Sequence, residues 1–173
     1  MDRPAAAARR ARGITLIECV IALAILAMLM SFALPSFGDA MARARLRGAA
    51  EDLALGLGNA RLESVRAGAG KVHVTVAPGA SWCWSVGHVA DVDCTNPPAG
   101  STYHVVRASD YAGITMTRGA SASFDSRDTL AAAGFAAEFV SVNGNALRVN
   151  VTPLGRASIC APEGKSIDFP RCT

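Results

Sequence analysis

The apolar and polar positions divide the chain into three zones. Residues 14–34 read ITLIECVIALAILAMLMSFAL, twenty-one residues carrying one formal charge, Glu18. As a helix this run would extend about 31 Å, close to the thickness of a bilayer's hydrocarbon core. Arg3, Arg9, Arg10 and Arg12 precede it and would hold the short amino end on the cytoplasmic side. A secretory signal peptide fits less well. Its apolar run is usually about 7–15 residues and ends in a small-residue cleavage site, whereas here Pro35, Ser36 and Phe37 follow. The expectation is a transmembrane helix over residues 14–35.

The second zone, residues 37–67, lacks proline and is rich in alanine, leucine and arginine, which favour helix. Leu46, Ala50, Leu53, Leu57, Ala60 and Ser64 recur every three or four residues, while Arg43, Arg47, Glu51, Arg61 and Arg66 mostly take other positions. One side should therefore cover a core. Gly56 and Gly58 weaken the helix locally but permit close backbone approach, and Gly68 and Gly70 end it.

In the third zone the period changes to two. Val72, Val74 and Val76 alternate with His73 and Thr75, and strands are expected near 82–88, 102–107, 112–118, 137–142 and 146–152. Residues 89–101 and 119–134 read as connecting loops. Trp82 and Trp84 share one strand parity, so the pattern assigns both to a buried sheet face rather than to base stacking. Helix first and sheet afterwards predicts an α+β architecture: a long N-terminal transmembrane and amphipathic helix packed against a mainly antiparallel β domain. The boundaries are 1–13 for a leader, 14–35 and 36–67 for the two helix halves, and 68–173 for the β-rich portion.

Composition agrees with an ordered, membrane-attached chain. The 173 residues are 51% hydrophobic and 18% charged, with mean hydropathy +0.28, which argues against disorder. Aromatics at 6% supply little for base-stacking platforms. The formal charge of +3 arises entirely before residue 14; the remainder carries thirteen basic and thirteen acidic side chains. A polyanion partner would need a local patch, not a global field.

Cys19 lies within the apolar run, and Cys83, Cys94, Cys160 and Cys172 form an even set. In an exported domain such a set suggests two disulfides. Three pairings are possible, and sequence proximity favours Cys83–Cys94 with Cys160–Cys172. No compact Cys-x-x-Cys pair accompanies His73, His88 or His104, so no metal is expected. Ser81, Ser85 and Ser101 lack a nucleophile elbow, and the acidic pairs at 91/93 and 125/128 read as solvated loop residues. The chain is not expected to be an enzyme or to hold a cofactor.

The string Arg12-Gly13-Ile14-Thr15-Leu16-Ile17-Glu18 resembles the processing site of type IV pilins and type II secretion pseudopilins. The resemblance implies that a prepilin peptidase cuts after Gly13 and that Ile14 is N-methylated. Glu18 becomes the fifth residue and Pro35 the twenty-second, positions that this family commonly fills with these residue types. Ile14 departs from the commoner phenylalanine or methionine. NARLESVRAG at 59–68 and VTPLGRASIC at 151–160 are similar to segments of the GspH/FimT subgroup.

That likeness implies an N-terminal spine helix packed against a periplasmic β domain, and a minor type IV pilin in pilus initiation or tip assembly. Glu18 and Pro35 would be the assembly residues, other major and minor pilins or pseudopilins the partners, and a single pass through the inner membrane the anchor. Two alternatives stay open: a type II secretion minor pseudopilin, and a pilus-associated DNA receptor for uptake. For the last, Arg148, Arg156, Lys165 and Arg171 could converge on phosphate near the tail. The Gly-Arg-x-Arg pattern of DNA-binding relatives is incomplete here, with Gly155, Arg156, Ala157 and Ser158 in its place.

Overall fold

The computed structural model describes residues 14–66, 70–125, 136–152, 154–162 and 169–172; the side chains of 32–36 and 136 lie outside that set. The chain forms two compact units, Met1–Gly38 and Asp39–Thr173. A single helix, α1 (Leu16–Arg66), contributes to both.

Within the first unit, Leu16, Ile17, Val20, Ile21, Leu23, Met28 and Leu29 all stand exposed. Among the described residues, however, no helix is long and apolar enough to cross a membrane. This overturns the transmembrane half expected over 14–35, and with it the single-pass anchoring in the inner membrane. The apolar stretch of α1 begins at Leu16. Glu18 places a carboxylate inside that stretch.

The second unit is built on the carboxyl half of α1. Leu46, Ala50, Leu53, Leu57, Ala60 and Ser64 are fully buried, joined by Ala49. Complete burial of each leucine contributes about 1.5–3 kcal/mol relative to exposure. On the other face Arg47 and Glu51 pair at 2.7 Å, a solvent-exposed contact of small net value.

Eight strands follow: β1 (Val72–Ala77), β2 (Cys83–Gly87), β3 (Thr102–Arg107), β4 (Ile114–Arg118), β5 (Ala122–Phe124), β6 (Ala136–Ser141), β7 (Ala146–Val151) and β8 (Ala157–Cys160). They form two four-stranded sheets, ordered β3-β2-β1-β5 and β4-β6-β7-β8. All pairings within both sheets are antiparallel. Val72, Val74 and Val76 point inward from β1, and Leu147, Val149 and Val151 from β7; one hydrophobic cluster unites them with α1.

The segment 119–134, expected as a loop, contains β5. Its three residues are too few to show an alternating pattern, yet Phe124 is fully buried and Ala122 nearly so, and both register with β1. The strand expected from residue 112 begins at Ile114, because the chain turns at Tyr111 and Gly113, where φ is +83°.

Trp82 helps join the two sheets. Its indole N–H donates to the Ile114 carbonyl at 2.8 Å, and its ring meets Phe139 of β6 edge-on at 5.2 Å. Trp84 is wholly buried beneath Gly56 of α1, where an added Cβ would lie 2.5 Å from the indole ring. Both tryptophans are thus occupied in the core.

Candidate functional site

The described chain begins at the amino end of α1. Ile14 is exposed and lies just outside the helix, and Thr15 provides its cap: the Thr15 hydroxyl oxygen accepts from the Glu18 backbone N–H at 3.3 Å. Thr15-x-x-Glu18 is therefore also a helix-start signature, with an acidic side chain in the first turn facing the positive end of the helix dipole. The sequence reading passed over this local role. Glu18 is exposed and makes no ion pair among the described residues. Gly13 lies outside the described residues; Pro35 falls within α1, but its side chain is not described.

Two disulfides clamp the second unit. Cys83 bonds to Cys94 and Cys160 to Cys172, the sequence-adjacent pairing. The first ties the end of loop 88–94 to β2. The second holds the tail, which also exchanges backbone hydrogen bonds with Ala161: Ala161 N–H to Pro170 O at 2.8 Å and Cys172 N–H to Ala161 O at 3.0 Å. Arg47 lies over the Phe169 ring at 5.5 Å. Cys19 is a free thiol and exposed.

Three of the four basic residues considered for phosphate binding lie among the described residues. Arg148 is committed to Glu138, with Nη2 at 2.8 Å and Nε at 3.3 Å from the same carboxylate oxygen, and both side chains are partly buried. It sits opposite Cys160 at one end of the β7–β8 hairpin. Arg156 occupies the turn at the other end, about 10 Å or more away along the strands. Arg171 is exposed beside the tail bridge, and Lys165 lies outside the described residues.

Arg156 instead shares a groove with Arg61. Ala54, Leu55, Gly58, Leu62 and Val65 of α1 form one wall, and Gly155, Arg156 and Ala157 the other, around about 570 Å³. Sequence periodicity placed Arg61 on the polar face of the helix but gave no sign of which loop would stand beside it.

Elsewhere the polar groups serve the fold. The Tyr111 hydroxyl donates to the Asp52 carboxylate; burial, reinforced by that bond, raises the phenol above its ordinary range. Burial, with Glu63 nearby, lifts Tyr103 to about 12. Hydrogen bonds from the Thr95 hydroxyl and N–H hold Asp93 below the usual carboxylate range. The Ser101 hydroxyl donates to the Pro98 carbonyl. Among the described residues no group of three or more His, Cys, Asp or Glu could hold a metal ion.

Residues 8–34 match the family model of the prokaryotic N-terminal methylation motif. The chain bears that motif, which is typical of type IV pilin-like proteins. The match spans the residues in which Gly13, Ile14, Glu18 and the apolar run were singled out, and the motif is structural rather than catalytic. No curated protein and no solved structure matches the chain.

Proposed function

We propose that this protein is a minor type IV pilin of the GspH/FimT kind, acting in pilus initiation or tip assembly. The observation that carries the reading is the methylation motif in register with an exposed Ile14 and Glu18. A prepilin peptidase removes residues 1–13 and Ile14 becomes the methylated amino terminus.

The exposed apolar side chains from Leu16 to Met30 form a surface too large to leave in water, and packing against the helices of other pilins covers it. Glu18 pairs with the new amino terminus of a neighbouring subunit, so its charge is compensated only in the assembled register. The two disulfides fit an oxidising compartment. With Arg148 spent on Glu138, DNA uptake has less support than assembly.

The test is mass analysis of sheared surface filaments. A low-abundance peptide beginning with N-methyl Ile14 is expected there, and Glu18→Ala should leave the second unit folded while reducing incorporation at least ten-fold. Recovery of the processed chain solely with secretion machinery would move the assignment to a type II secretion pseudopilin. Unaltered incorporation of Glu18→Ala would refute the proposed pairing.

A further inference from the structure

The groove beside Arg61 and Arg156 is unusual for a protein surface. Leu55, Leu62 and Val65 keep 64%, 58% and 54% of their surface exposed, and Leu154, next to the Gly155 wall, keeps 71%. Two guanidinium groups stand within this apolar surface, and neither has an ion-pair partner among the described residues. Such a surface favours a partner carrying small apolar groups flanked by carboxylates.

The same unit displays that chemistry on loop 88–94. Val89 is 52% exposed, and Asp91 and Asp93 are exposed with no ion pair among the described residues. The loop is held in shape: Val92 is buried between the two aspartates, Cys94 is bonded to Cys83, and Asp91 adopts φ +53°. The Asp93 carboxylate is fixed by Thr95 at 2.6 and 2.9 Å. Docking this loop therefore orders little that is not already ordered.

Loop and groove lie on different flanks of α1. His88 lines a pocket with Glu63 and Tyr103 on the β3 side, whereas the groove faces the β7–β8 turn. A loop-on-groove contact joins unlike surfaces of two copies; where the rotation between them does not close, the pair keeps one free loop and one free groove and the contact propagates as a chain.

We propose that loop 88–94 of a second copy docks in this groove, with Val89 against Leu62 and Val65 and the carboxylates of Asp91 and Asp93 against Arg61 and Arg156. This head-to-tail contact involves only the second unit and does not depend on Glu18.

The test is site-directed cross-linking of the full chain carrying Cys19→Ser. One population carries Leu62→Cys and the other Val89→Cys, and the two differ in tag. The mixed disulfide is expected between them, at least ten-fold above a Leu62→Cys population alone, and retained when Glu18→Ala is added. Arg61→Glu with Arg156→Glu on the Leu62→Cys chain should reduce the yield at least ten-fold. Asp91→Lys with Asp93→Lys on the Val89→Cys chain should restore it, which also establishes that the first variant folds.

Equal yields from the mixed and single populations, or no effect of charge reversal, would overturn the proposal. So would charge reversal that abolishes salt-sensitive binding to a duplex DNA probe while sparing the cross-link; the groove would then be a phosphate site. Loss of filament incorporation in Glu18→Ala with the cross-link intact would leave both proposals standing.

Discussion

Gly56 and Gly58 lie two residues apart on α1, and helix propensity treats them alike: either glycine replaced by alanine should gain about 1 kcal/mol. The tertiary structure separates them. A Cβ on Gly56 would lie 2.5 and 2.6 Å from two carbons of the Trp84 ring, while one on Gly58 would meet nothing within 4 Å. Ordinary carbon contacts are about 3.5–4.0 Å, so Gly56→Ala must displace the helix or the indole by about 1 Å. Trp84 is fully buried and has no solvent to move into. Overpacking of this kind costs about 1–3 kcal/mol, leaving a net loss of about 1 kcal/mol once the propensity gain is deducted, against a net gain of about 1 kcal/mol for Gly58→Ala.

Urea unfolding followed by tryptophan fluorescence measures the difference directly, since Trp82 and Trp84, the chain's two tryptophans, are both buried. The two variants should fall on opposite sides of wild type, about 2 kcal/mol apart. Equal stabilisation by both would refute the close packing of α1 on Trp84.

Tyr111 supplies a prediction about pH. Its phenol is raised in the folded state by burial first and then by Asp52, so its contribution is fully present below the unfolded value of about 10 and is lost as pH rises through the folded value. Stability should decline above about pH 10, and Tyr111→Phe, though less stable at neutral pH, should show a shallower decline in chemical unfolding at pH 8, 10 and 11. Removing the tail clamp with Cys160→Ser and Cys172→Ser should cost about 3 kcal/mol, given a separation of 12 residues. Hydrogen exchange should show the loss first at Ala161 and Cys172, whose N–H groups hold the tail bridge; uniform protection would contradict that placement.

Much of this protein was legible before its fold was known, because local chemistry repeats with a period. The spacing of Leu46, Leu53 and Leu57 marked the buried face of α1, and the alternation at Val72, Val74 and Val76 marked a strand. The methylation motif lies in one unbroken stretch, residues 8–34, where no long-range contact is needed to read it. Thr15 and Glu18 could have been read as a capping pair by the same means.

What lacked a local signal was decided by tertiary structure. Three residues cannot display alternation, so β5 emerged only when Ala122 and Phe124 met β1. Arg148 and Arg156 look alike in sequence, yet one lies beside Glu138 and the other in a groove with Arg61. The length of the apolar run suggested a membrane span that the described helix does not provide. Periodicity reports which side of an element is apolar; which element meets that side depends on contacts between residues distant in the chain, and those alone placed Gly56 on Trp84 and Arg61 beside Arg156.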